Sequence, residues 1–273
     1  MAHQQIIQHL RSNVSPSIRA NITLHSSDSR HHTEIGWLSS YQSFTRPSAY
    51  LPFGSLKALG EDRVQPLSGF PAHHHENFEI FTLVLSGELT HRDSMLAAAD
   101  AEEEGDRSTR FYRIRRKDIQ FTTAGTGTDH SEMNEHASET VHLLQIWVVP
   151  WKTGRQATAQ QEREAVPVKD GTIPIHADSV VASGIIDPQH KFSWVIGGNA
   201  TKTEARKVYV HLPMAKNGQG RVKIDVNGQG HSELNEGDGA FVEGTVLGDT
   251  FNVESIGSAA AEVIVLDGAS KDR

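Results

Sequence analysis

Residues 70–85 read FPAHHHENFEIFTLVL, three consecutive histidines running into a stretch rich in β-branched and aromatic residues. In an extended chain the side chains at i and i+2 share a face, and the one between them points the other way. His73 and His75 are therefore expected on one side and His74 on the other, with Glu79 joining His75 if the strand continues unbroken. A second cluster, GTDHSEM at 127–133, repeats this spacing with His130 and Glu132. Two such pairs on neighbouring strands would bring three imidazoles and a carboxylate to one point. That donor set suits a borderline divalent transition metal with positions left open for water or substrate. Iron(II) is the first expectation, with nickel, copper, manganese and zinc as alternatives.

Working outward, short runs of strand-like composition recur: RFYRI (110–114), IQFTTA (119–124) and VHLLQIWVV (141–149), each bounded by turn-forming residues. Such spacing predicts an antiparallel all-β sandwich or barrel. SMLAAADAEEEGD (94–106) allows one short helical turn within a loop, and the polar stretch 151–166 reads as a linker. Strands resume with SWVIGG (193–198), KVYVHL (207–212), GRVKIDVNG (220–228), GAFVEG (239–244) and AEVIVLD (261–267), and Asn227-Gly228 signals a tight hairpin. The two halves share a pattern without an exact repeat. The expected organisation is a leader over 1–33 with one strand in IRANITLH (18–25), a metal-binding domain over 34–150, and a second domain over 167–273. In that second domain His211 and His231 have no i+2 partner, and no metal is expected there.

Composition narrows the chemistry. The 273 residues include no cysteine, which excludes disulfides, thiolate sites and iron–sulfur clusters and leaves nitrogen and oxygen as ligands. A net charge of −8 argues against attraction to nucleic acid. The basic and aromatic run RFYRIRRK (110–117) is expected to be compensated by the acidic DAEEEGD (100–106). No apolar run approaches the roughly 20 residues of a membrane-spanning helix. The first residues lack the apolar stretch of a secretory signal, so a cytoplasmic location is expected.

The residues GFPAHHHENFEIFTLVLSGELTHRDSM (69–95), FTTAGTGTDHSE (121–132) and GWLSSYQSF (36–44) together resemble the pirin family of the cupin superfamily, over about residues 34–150. The resemblance implies a bicupin, two cupin-type antiparallel β-barrels in one chain. It places the metal ligands at His73, His75, His130 and Glu132, with Glu79 outside the ligand set. It also implies quercetin dioxygenase-like activity, in which O2 opens a flavonol ring and Glu132 accepts the proton of a substrate hydroxyl. The alternative it carries is a nuclear, metal-redox-dependent co-regulator that binds transcription factors. This chain departs from the family pattern by having His74 where proline is usual, Glu76 where arginine is usual, and a long stretch over 96–117. His91 is expected to be structural, Phe78, Phe81, Trp147 and Trp151 to be core, and Phe44, Phe70 and Phe121 to wall the site against water.

Overall fold

The computed structural model describes residues 20–44, 53–94, 111–154, 158–163 (as backbone), 173, 175–198, 205–214 and 218–270. The short helical turn expected after Ser94, most of the 96–117 stretch and the first 19 residues lie outside the described residues. Described strands pair antiparallel throughout, and the one described helix is a single 3-10 turn at Ser27–Ser29. No helix among the described residues is long and apolar enough to cross a membrane.

Four sheets form. A seven-stranded sheet has the order β12 (Thr158–Arg163), β9 (Asp118–Thr123), β6 (Glu79–Ser86), β11 (Val141–Val148), β4 (Leu56–Val64), β3 (Leu38–Gln42), β2 (His31–Glu34). Facing it is a four-stranded sheet of β5 (Ser68–His75), β10 (Thr128–Asn134), β7 (Glu88–Asp93) and β8 (Tyr112–Arg115). The second half pairs a five-stranded sheet with another four-stranded one. The first has the order β1 (Asn21–His25), β18 (Gly239–Thr245), β15 (Arg206–His211), β20 (Ala261–Ala269), β13 (Ser179–Ile186). The second runs β14 (Lys191–Val195), β19 (Thr250–Ser255), β16 (Arg221–Val226), β17 (Gln229–Asn235). The expectation of two barrels is corrected in one respect: among the described residues the ladders run only within each sheet, and none closes on itself. Each half is instead two open sheets held face to face by side chains, because the edge strands share no hydrogen-bond ladder.

Three apolar layers hold this stack together. Leu38, Val64, Val84, Leu89, Ile114 and Leu143 fill the floor of the first half. Val210, Ile224, Leu234, Phe251 and Val253 fill the second. Between the halves, Leu83, Phe121, Leu144 and Ile146 meet Tyr209, Phe241, Ile264 and Leu266. The seven-stranded sheet is therefore covered on both faces. This explains why IFTLVL in β6 reads as a continuous apolar run without alternation: every residue of Glu79–Leu85 is buried.

The segments expected as leader and linker both contribute strands. Leader strand β1 pairs with β18 of the second half, and β12, inside 151–166, pairs with β9 of the first. The Asn-Gly hairpin is present. Asn227 and Gly228 have φ of 53° and 76° and join Val226 to Gln229, the two left-handed positions that a two-residue turn of this kind requires.

Candidate metal centre

β5 and β10 are neighbours, with His130 opposite His73 and Thr128 opposite His75. Below that point the register shifts: Glu132 lies opposite Phe70, so Pro71 and Ala72 together face Ser131. This is a β-bulge, and proline suits it because it has no N–H to give to the ladder. The extra residue changes the parity of β5, so that Phe70 and His73, three apart, both turn inward. Phe70 accordingly packs on the floor of the first half, with its ring 6.4 Å from that of His73.

The three imidazoles converge. Ring centroids are 4.8 Å apart for His73 and His75, 4.5 Å for His73 and His130, and 4.8 Å for His75 and His130. One ring nitrogen from each lies within 4.8 Å of the others. His73 Nδ1 is 2.8 Å from the Pro71 carbonyl. A carbonyl can only accept, so Nδ1 carries the proton and the Nε2 lone pair is free for the interior. Backbone anchoring of the second ring nitrogen in this way is the usual support of a metal-binding histidine. His73 Nε2 meets His130 Nε2 at 2.9 Å, while His75 Nε2 is buried with no hydrogen-bond partner. Burial, followed by the neighbouring His73, lowers the pKa of His75. Burial also takes His130 down to about 4. Both rings are therefore neutral near pH 7, the state a metal needs. An orphaned buried nitrogen, a fixed tautomer and neutral rings together fit a divalent transition metal on His73, His75 and His130.

Glu132 sits beside this group but not within it; the mutually close ring nitrogens do not include one of its oxygens. The carboxylate is buried and engaged by protein donors. Thr82 Oγ1 donates to Oε1 at 2.9 Å, Gln145 Nε2 donates to Oε2 at 2.6 Å, and His91 Nδ1 lies 3.8 Å from Oε1. Burial alone would raise its pKa, but the charge and hydrogen bonding of His91, His130 and Thr82 outweigh it and hold Glu132 at about 2.

His91, expected as a structural residue, is fully buried across the ladder from Glu132, with Nε2 3.5 Å from Asp93. Burial opposes its charge, yet the carboxylates of Asp93 and Glu132 raise its pKa to about 9. His91, Asp93 and His130 also lie close enough together to resemble a metal site. An imidazolium has no lone pair to offer, however, so this trio is better described as a charged brace behind Glu132.

Several expectations are corrected. Glu79 does not share the face of His75, because β5 ends at His75 and Asn77 turns with φ 56° before β6 begins in a different sheet. Its carboxylate instead lies on the opposite face of the seven-stranded sheet, 3.1 Å from His176 Nδ1 and 3.2 Å from Thr123 Oγ1. Of the three proposed aromatic walls only Phe70 belongs to the site; Phe44 and Phe121 pack in the layer between the halves. Trp147, expected as core, supplies a wall in their place, with its half-buried ring set edge-on to His75 at 4.9 Å. Phe81 is core, and Trp151 is half exposed. His74 faces outward and pairs with Asp129 at 3.3 Å, and Glu76 is exposed. The acidic run expected to compensate the basic one lies outside the described residues; among the described ones, Arg113 and Arg115 pair with Glu88, and Arg116 with Glu262. Sequence reasoning did not find Thr82, Gln145 or Trp147 as site residues. The available signal was strand parity, since Gln145 and Trp147 alternate on the inward face of β11.

The pirin family model matches residues 25–148. A quercetin 2,3-dioxygenase of Escherichia coli K12 is 32% identical over 171 residues, covering 58% of this chain and 68% of the relative. A putative quercetin 2,3-dioxygenase of Mycobacterium tuberculosis is 29% identical over 255 residues, covering 86% of this chain and 93% of its own. The crystal structure of the bacterial pirin YhhW from Escherichia coli in complex with nickel(II) superposes with a TM-score of 0.71 at 24% identity, covering 92% of this chain and all of that one (100%). The relation spans most of the fold, and the chain is a member of the pirin family.

Proposed function

We propose that this chain is a metal-dependent dioxygenase that uses O2 to open the heterocycle of flavonol-type substrates such as quercetin. The observation that carries this reading is the convergence of His73, His75 and His130, with the His73 tautomer set by the Pro71 carbonyl and the His75 Nε2 buried without a hydrogen-bond partner. The names of the relatives from Escherichia coli and Mycobacterium tuberculosis support the reaction class. The nickel complex of YhhW supports a divalent metal, with iron(II) as the alternative that the ligand set also suits. The fold likeness likewise supports reading each pair of open sheets as a cupin-type unit, built mainly from 34–150 and from 167–273, with β12 completing the first and β1 the second.

The three histidines would hold the metal, which when bound would acidify a chelating substrate hydroxyl and keep it beside dioxygen. The chain's own residues then divide the remaining work. Glu132 is ionised and two residues along β10 from His130, so it receives the hydroxyl proton or serves as a fourth ligand. Trp147 and Phe70 flank the imidazoles with apolar surface and exclude water from the reacting face.

The test is oxygen uptake by the metal-loaded protein with quercetin, set beside a His75→Ala variant. Quercetin-dependent uptake that disappears in the variant supports the reading. A protein that binds metal but takes up no oxygen instead favours the alternative, a metal-dependent module with a transcription-factor partner.

A further inference from the structure

The face of the seven-stranded sheet that meets the second half is apolar through Leu144 and Ile146 and turns polar in its last row. There Arg63 of β4 and Ser86 of β6 both stand in register with His142 of β11. The second half covers this row incompletely. Met214, which follows β15, reaches across it and leaves a cleft of about 580 Å³, a size suited to a small molecule; Glu139 also lines it.

Arg63 has donors to spare in this cleft. Its Nη2 donates to the Met214 carbonyl at 3.2 Å, and its Nη1 lies 3.7 Å from the Met214 sulfur, a weak acceptor. Its carboxylate contact is a long one, 4.0 Å to Glu61 Oε1, an oxygen that already accepts from His142 Nε2 at 2.8 Å and the Met214 N–H at 2.6 Å. A guanidinium carries its N–H donors in a planar fork, so several remain for a ligand, and the side chain is 29% exposed.

We propose that this cleft binds a small organic carboxylate at the junction of the halves, with Arg63 gripping the carboxylate by its fork and the Ser86 hydroxyl donating beside it. Planar, bidentate pairing is the geometry in which arginine and carboxylate match. Glu139, exposed on the same cleft, opposes a second negative charge and so disfavours phosphate. Met214 offers an apolar, adaptable wall for the body of the ligand. The histidine triad lies on the other side of this sheet, so the proposal does not rest on the metal centre.

The experiment is calorimetric titration of the chelator-treated full chain with sodium benzoate, so that no metal competes for the carboxylate. The wild type should bind it, and Arg63→Met, which keeps an unbranched chain and removes the charge, should weaken binding about tenfold, the worth of one charge-assisted hydrogen bond. Ser86→Asp brings a competing carboxylate onto the same row and should weaken binding while leaving Arg63 in place. Because the ligand touches both halves, benzoate should also raise the melting temperature of the wild type. No heat of binding at tens of millimolar, unchanged affinity in either variant, or neutral benzamide bound as well as benzoate overturns the proposal. Inorganic phosphate bound more tightly than benzoate overturns the choice of ligand. Melting temperatures of the variants without benzoate show whether each is folded.

Discussion

Glu61 of β4 accepts a hydrogen bond from His211 Nε2 of β15 at 3.0 Å, joining two residues 150 positions apart across the layer between the halves. The same buried carboxylate also accepts from Arg30 Nη1 at 2.9 Å, His142 Nε2 at 2.8 Å and the Met214 backbone N–H at 2.6 Å. His211, which has no i+2 partner in the sequence, thus finds an acceptor for its Nε2 in the other half of the chain. Burial would raise the pKa of Glu61, but the hydrogen bonds from His142 and His211 and the charge of Arg30 hold it well below the usual value.

Because one carboxylate serves four donors, removing it leaves Arg30 and two imidazoles buried without their acceptor. Glu61→Ala is predicted to destabilise the protein by about 3–5 kcal/mol, the range for breaking a buried charged pair from one side. Denaturant unfolding followed by tryptophan fluorescence measures it. A loss under about 1 kcal/mol, the scale of an exposed ion pair, would show that the junction does not depend on this group.

His25 gives the acid limb of stability a defined window. It stacks on Phe241 with ring centroids 5.2 Å apart, and its Nδ1 is 3.2 Å from the Tyr209 hydroxyl. Burial, followed by the nearby Arg30 and His211, lowers its pKa from 6.5 to about 4. Between those values the unfolded chain binds a proton that the folded chain refuses, so stability falls as pH drops through this window and levels off below it. His25→Phe removes this contribution and should flatten the unfolding free energy between pH 6.5 and about 4. The same slope in wild type and variant would assign acid sensitivity to the other histidines with lowered pKa values.

Gly69 of β5 lies opposite Met133 and tight against the backbone of β10. A Cβ there would stand 2.3 Å from the Glu132 carbonyl oxygen and 2.7 Å from Met133 Cα. Both are backbone atoms and cannot swing aside. Gly69→Ala should therefore cost ~2 kcal/mol and, by pushing the strands apart beside the bulge, weaken metal binding as well. Thermal unfolding with and without nickel reports both effects; normal stability together with normal affinity would contradict the strand approach.

Metal binding itself should stabilise the fold, since only the folded chain brings the three imidazoles together. At free metal a hundredfold above the dissociation constant, linkage predicts about 2.7 kcal/mol. Chelation should lower the melting temperature of the wild type and leave His130→Ala unmoved. Equal shifts in both proteins would place the stabilising ion elsewhere.

Much of the site could be read in the chain because strand alternation is local. His73-x-His75 and His130-x-Glu132 each specify a face without knowledge of the fold, and the triad follows once β5 and β10 are paired. Glu79 was misplaced because the reading carried one strand through Glu76-Asn77-Phe78, where the chain leaves one sheet for another. Phe44 and Phe121 failed as walls for a related reason: β-strands covered on both faces show no alternation, so an apolar residue in them does not reveal which layer it serves. The closed barrels inferred from resemblance became open face-to-face sheets, since edge pairing is a long-range property that composition and turn signals do not encode. The link from Glu61 to His211 and the crossing of β1 into the second half are equally non-local. Gln145 and Trp147 were visible as residues, but their roles depend on what lies across the cavity.

The account stands most directly on the metal content of protein purified without added metal, compared between the wild type and His75→Ala by elemental analysis. It predicts about one divalent transition-metal ion per wild-type chain and little or none in the variant. Wild-type protein nearly free of such metal even after incubation with nickel(II) or iron(II), or a variant that retains its full complement, would contradict it.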